Sequence, residues 1–289
     1  MCIRDRHITA ENVATIKEYT KKIAEEMHVV GLMNMQYAIE KGKVYVLEAN
    51  PRASRTVPLV SKVCNVRMVP IATDIITSEL TGRPSPVPAL KEQHIPYYGV
   101  KEAVFPFNMF PEVDPILGPE MRSTGEVLGL STYYGEAFYK AQEATQTLLP
   151  TSGTVLISVN RKDKDEVIEI AQLFEKAGFK ILATSGTYAI ITAAGVKAEK
   201  VKKLQEGRPN INDLITNGSI DLIINSPSGK ESAHDDSYLR KAAIKAKIPY
   251  VTTIAGARAT AKGILYVQAH GDSDVKSLQE LHSEIKDAE

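Results

Sequence analysis

"TVLISVNRKDKDEVIEIAQLFEKAGFKILATSGT", residues 154–187, reads as strand, helix, strand. The apolar run TVLISV opens it and KILAT closes it. Between them Val167, Ile170, Ala171 and Phe174 recur at i, i+3, i+4 and i+7, the spacing of one helix face, and Gly178 stands where a C-cap is expected. DLIINS and YVTT carry the alternation onward. Strands joined by helical crossovers pair in parallel and need helices on both faces. Residues 151–289 are therefore expected to form a small doubly wound α/β domain.

In such sheets ligands bind beyond the carboxyl ends of the strands, where helix N-termini favour anions. Those ends carry Ser158 then Lys164, Thr184 and Thr187 in TSGT, Asn225 in INSPSG, and Thr252-Thr253. Hydroxyls, an amide and a lysine form a phosphate-binding set. The same residue types also serve turns and helix caps, so both roles stay open.

Upstream of LLPTSG the pattern changes, which places a boundary near residue 150 and a separate domain over 1–150. Residues 11–28 set Ile16, Tyr19 or Thr20, Ile23 and Met27 on one helical face. From about 64 to 150 comes the apolar, helix-like MVPIATDIITSEL, then the proline-rich GRPSPVPALKEQHIP, the strand-like GVKEAVFPF and FPEVDPILGPEMRSTGEVLGL. So many prolines predict loops and short helices wrapped on a neighbour.

Residues 31–63, GLMNMQYAIEKGKVYVLEANPRASRTVPLVSKV, alternate apolar and polar side chains around Lys41-Gly42. With that turn, paired residue numbers sum to about 83, which sets Gln36 within one register step of Glu48. Glu48 and Asn50 share a face, about 7 Å apart along the strand. Three side-chain oxygens with one full charge suit Mg²⁺, which takes few protein ligands and keeps water and substrate phosphates. Arg52 and Arg55 could supply forked donors for phosphate oxygens. A plain surface ion pair of either arginine with Glu48 is the alternative.

Composition narrows the classes. Lys+Arg and Asp+Glu balance at 35 each, so no global field holds nucleic acid or an anionic membrane. Two cysteines in 289 residues read as reduced thiols. No apolar run approaches the roughly 20 residues of a membrane span, and MCIRDRHITA lacks a signal-peptide core, so a cytoplasmic protein with neither membrane nor nucleic-acid partner is expected.

The stretch EANPRASRTVP, following GLMNMQYA with twelve residues from Gln36 to Glu48, resembles the second ATP-grasp unit of the carbamoyl phosphate synthetase large subunit. The similarity runs on through VSKV and YYGVKEAVFPFNMFPEVDPILGPEMRSTGEVLG to the end of the chain. It implies α/β and α+β architecture: a partial ATP-grasp C-terminal subdomain followed by a doubly wound parallel-sheet, methylglyoxal-synthase-like domain. The implied activity is ATP-dependent phosphorylation of carbamate to carbamoyl phosphate by a glutamine-hydrolysing ligase. ATP, Mg²⁺ or Mn²⁺ and K⁺ are the implied cofactors. A glutaminase small subunit and the remainder of the large subunit are the implied partners, in pyrimidine and arginine biosynthesis. On this resemblance Gln36, Glu48 and Asn50 bind metal, while Arg52 and Arg55 serve the phosphates or the carbamate.

In the second domain the resemblance implies an allosteric nucleotide site for UMP or IMP at Ser158, Lys164, Thr184, Thr187, Lys203 and Asn225. Pro227 and Ser185 depart from relatives with Thr and His at those places, which touches effector identity. An ornithine site would draw on Glu102, Tyr250 and Thr252. The glycine-rich lid and adenine pocket have no counterpart before residue 31, and MCIRDR reads as a non-native scar, so the chain alone is expected to be inactive. Residues 1–150 are then expected to be aggregation-prone. A stand-alone nucleotide-sensing module is the alternative, with a methylglyoxal-synthase-type lyase behind it.

Overall fold

Thr9 is extended and its Oγ1 accepts the Asn12 N–H at 3.2 Å, which starts α1 (Ala10–Glu26). The computed structural model describes residues 8–91, 93–109, 122–226, 233–271 and 275–287. The chain divides into two compact units, residues 1–96 with 275–289, and residues 97–274.

In the first unit β1 (Asn34–Glu40) and β2 (Lys43–Asn50) form an antiparallel hairpin around Lys41-Gly42, both at positive φ. Tyr37 joins it to α1, its hydroxyl 2.6 Å from Thr20 Oγ1. α2 (Thr56–Cys64), α3 (Met68–Thr81) and the short β3 (Gln93–His94) follow. Burial is sparse. Of the apolar face expected on α1, Tyr19 and Met27 are exposed, and on α3 only Ala72 is buried.

The second unit opens with β4 (Tyr98–Val104) and β5 (Gly125–Ser131), an antiparallel pair, and α4 (Tyr134–Ala144). Expected loops are thus partly a strand and a long helix; residues 110–121 lie outside the described residues. Then come β6 (Thr154–Ser158), α5 (Val167–Lys176), β7 (Lys180–Thr184), α6 (Ser185–Ala193), β8 (Glu199–Val201), α7 (Ile211–Thr216), β9 (Leu222–Asn225), α8 (Ala233–Lys245), β10 (Tyr250–Val251) and α9 (Ile254–His270). The five strands are parallel in the order β10-β9-β6-β7-β8, so the chain winds one way from β6 and then returns to the other side. That is the doubly wound sheet.

Side-chain alternation builds its two cores. Val155, Ile157, Ile181, Ala183, Leu222 and Ile224 face α5 and α9, while Leu156, Leu182 and Ile223 face α7 and α8. The four α5 residues picked out by spacing are fully buried. Gly178, at φ +78, closes α5: its N–H donates to Glu175 O at 2.9 Å and that of Phe179 to Phe174 O at 3.0 Å.

The two compact units divide between Pro96 and Tyr97, upstream of the change in sequence pattern near residue 150. Packing explains it. Tyr139 of α4 and Leu149 are buried in the same core as α5 and α9. Gly135 and Gly263 let α4 and α9 cross closely, since a Cβ on Gly263 would stand 2.8 Å from Gly135 O. The end of the chain goes the other way: α10 (Leu278–Ser283) and β11 (Lys286–Asp287) return to the first unit, where β11 pairs with β3 and His282 Nε2 lies 2.6 Å from Lys62 O.

Candidate functional site

A single bulge decides what the hairpin presents. From Glu40↔Lys43 to Tyr37↔Val46 the pairs keep one register; it then slips at Leu47, and Gln36↔Glu48, Met35↔Ala49 and Asn34↔Asn50 follow. Without the slip Glu48 would oppose Met35, on the face that Tyr37 turns toward α1. With it, Gln36, Glu48 and Asn50 share the other face, joined by Asn34. Leu47, the extra residue, is 64% exposed.

Beyond β2 the backbone turns sharply, Arg52 N–H donating to Asn50 O at 2.8 Å, and Arg55 occupies the N-cap position of α2. Arg52 Nη1 donates to Ala53 O at 3.0 Å. Glu48 makes no ion pair among the described residues, so the surface-pair alternative is not what the fold adopts. Two amide oxygens and one carboxylate on one face fit a hard divalent cation. Among the described residues no cluster of three His, Cys, Asp or Glu side chains offers a closed metal cage.

In the second unit a cavity of about 420 Å³ lies past the carboxyl ends of β6, β7 and β8. Lys164, Thr184, Thr187 and Lys203 line it, together with Asn160, Arg161, Ser185, Gly186 and Glu206. Each wall has a local cause. Asn160 Oδ1 accepts the Lys162 and Asp163 N–H groups at 2.7 and 3.2 Å, folding the 3-10 turn Arg161–Asp163 that carries the basic side chains. Thr184 is the N-cap of α6, yet its hydroxyl donates to Ser158 Oγ at 3.1 Å and caps no helix N–H. The first turn of α6 therefore keeps N–H donors for an anion. Gly186 makes room above it: a Cβ there would lie 2.8 Å from Lys164 Nζ.

The Thr187 side chain and the remaining expected residues stand in a supporting layer. Thr187 is 1% exposed and its hydroxyl accepts the Val159 N–H at 3.2 Å, tying α6 to the end of β6. Ser158 pairs in register with Asn225, which is 3% exposed. Asn225 Nδ2 donates to the Tyr250 hydroxyl at 2.6 Å, so a residue expected for nucleotide binds one expected for ornithine. Thr252 is exposed just past β10. Glu102 sits on β4; burial pushes its carboxyl up, against hydrogen bonds from the Ala103 N–H and Gln142. Its neighbour Lys101 pairs with Glu126 at 2.7 Å. Pro227 lies outside the described residues.

Arg161, Gly186 and Glu206 were missed by reading strand ends alone. The run NRKDK carried a signal for Arg161, and the TSGT glycine one for close approach; nothing local marked Glu206.

Known proteins resolve the class. Residues 166–252 match the family described as MGS-like domain, and residues 5–80 the carbamoyl-phosphate synthase L chain, ATP binding domain. A carbamoyl phosphate synthase large chain of Archaeoglobus fulgidus is 47% identical over 273 residues, covering 94% of this chain and 25% of that one. That of Acidobacterium capsulatum is 47% identical over 272 residues, 93% of this chain and 25% of its own. The large chain, C-terminal section, of Aquifex aeolicus is 44% identical over 295 residues, 96% of this chain and 55% of that one.

An ATP-grasp-related segment followed by an MGS-like parallel-sheet domain is thus the class that fold and matches define. The chain belongs to the carbamoyl phosphate synthase large chains and corresponds to their C-terminal region. It spans about a quarter of the length of the first two relatives and about half of the third. Among the described residues no helix is long and apolar enough to cross a membrane.

Proposed function

We propose that this chain contributes the end of a carbamate-phosphorylating ATP site and a nucleotide-responsive regulatory domain to a carbamoyl phosphate synthase. The observation that carries the first half is the Leu47 bulge, because it alone puts Gln36, Glu48 and Asn50 on one face. Transfer of a γ-phosphoryl group is mostly positioning and charge neutralisation, with little covalent work for the protein. When bound, Mg²⁺ or Mn²⁺ would supply electrostatic stabilisation of the phosphates, and Gln36, Glu48 and Asn50 would hold it. Arg52 and Arg55 would orient and neutralise phosphate or carbamate oxygens.

The reaction would use ATP, bicarbonate and ammonia, with K⁺, a glutaminase small subunit and the rest of the large chain as partners, in the cytoplasm. The second unit would bind UMP or IMP in the 420 Å³ cavity, the phosphate at the start of α6 beneath Lys164. Glu102, Tyr250 and Thr252 would serve an ornithine site only with further residues; Glu102 bonds Gln142 and Tyr250 bonds Asn225.

The hairpin half is tested by paramagnetic broadening of amide signals with Mn²⁺. The expected result is selective broadening at Gln36, Glu48 and Asn50 that Glu48→Gln weakens at least tenfold, without carbamoyl phosphate formation by the chain alone. Broadening confined to other acidic surfaces would overturn the metal assignment. Carbamoyl phosphate formed by the purified chain would overturn its inactivity.

A further inference from the structure

The wall of the second-unit cavity is not uniformly basic. Arg161, Lys164 and Lys203 line it with one carboxylate, Glu206. Glu206 ends a 3-10 turn, Leu204–Glu206, and its Oε2 accepts the backbone N–H of Lys203 at 2.9 Å. That hydrogen bond fixes the carboxylate where the chain enters the pocket and leaves its charge in place. Lys164, by contrast, makes no ion pair among the described residues.

Three cations and one anion give the lining a formal charge of +2. A phosphate monoester carries about −1.5 to −2 at neutral pH, so the match is to a single phosphate. A cavity of 420 Å³ is roughly 9 Å across if taken as a sphere, under the Debye length of about 10 Å at 0.1 M salt. No further phosphate can sit inside it beyond the field of Glu206.

We propose that Glu206 is a specificity-determining residue that makes this pocket prefer a nucleoside monophosphate over the diphosphate and triphosphate of the same nucleoside. The proposal rests on the reading of the cavity as a nucleotide site. It adds a repulsive element to the attractive ones: the three basic residues and the α6 N-terminus favour any phosphate, and Glu206 penalises each additional one.

The test is calorimetric titration of the whole chain with UMP, UDP and UTP, in EDTA so that the longer phosphates stay uncomplexed. Glu206→Gln keeps an oxygen to accept the Lys203 N–H and removes only the charge. The expected result is that affinity falls from UMP to UTP in the unaltered chain, and that the UTP-to-UMP ratio of dissociation constants drops about five- to tenfold in Glu206→Gln, as expected for one charge at such range. Glu206→Lys should move the ratio further the same way. An unchanged ratio with UMP still bound overturns the role of Glu206 while leaving the nucleotide site standing. Failure of the unaltered, folded chain to bind any of the three overturns the site and this inference together.

Discussion

The two units differ in how much of themselves they bury. Both buried apolar clusters among the described residues belong to the second unit, where Phe174, Ile157, Ile170 and Ile264 have no exposed surface. The first unit buries Val44, Val57, Leu59, Val63, Ala72 and Leu281, and leaves Leu47, Val69, Leu80 and Leu90 between 54% and 81% exposed. Its hairpin is a sheet of two strands, marginal by itself in water. One unit holds both apolar clusters and the cavity; the other sets the hairpin face of Gln36, Glu48 and Asn50 over a thinner core.

The sharpest way to break this contrast is Gly129→Val in β5. Any Cβ there would meet Ala137 O at 2.0 Å and Ala141 N at 2.7 Å, both backbone atoms of α4 that cannot give way. We expect loss of more than about 3 kcal/mol and undocking of α4, read by chemical denaturation. An unchanged midpoint would mean that α4 is not integral to the second unit.

Glu136 gives the next effect. This carboxylate of α4, 6% exposed, bonds the Ser131 hydroxyl and pairs with Lys140 at 2.8 Å. Glu136→Ala takes the carboxylate from both partners at a buried site and should cost about 2–4 kcal/mol. Burial pushes the Glu136 carboxyl up, but Lys140, Ser131 and Tyr266 together hold it below the ordinary glutamate range. With the folded value depressed, its contribution is present above the unfolded value near 4.3 and lost as pH falls through the folded one. Acid titration below about pH 4.3 should therefore weaken the unaltered chain more than a Glu136→Gln variant.

The smallest effect sharpens the other side. Leu80→Ser, at a site 81% exposed on α3, should change stability by less than about 0.5 kcal/mol and reduce self-association measured by light scattering. A large loss of stability would show that this surface is already covered.

Legibility in the sequence follows the same line. The helical face of α5 and the Gly178 stop were readable because periodicity and left-handed backbone each leave a local mark. The hairpin turn was equally plain, and pairing came within one step, yet the bulge at Leu47 has no glycine or proline to announce it. Lys164, Thr184, Thr187 and Lys203 were named from strand ends and resemblance, and the fold brings all four to one cavity. The change of style near residue 150 marks the start of the parallel sheet, whereas the second compact unit begins at Tyr97, because α4 packs there through the distant contact between Gly135 and Gly263. Glu206 escaped for a related reason: its role depends on a cavity formed by three separate loops.

The most direct test of the account is calorimetric titration of the whole chain with UMP and IMP, beside Lys164→Ala. Saturable binding of at least one nucleotide at one site per chain is expected, weakened at least tenfold by the substitution, with the fold intact by circular dichroism. Absence of binding by the folded chain, or binding indifferent to Lys164, would contradict it.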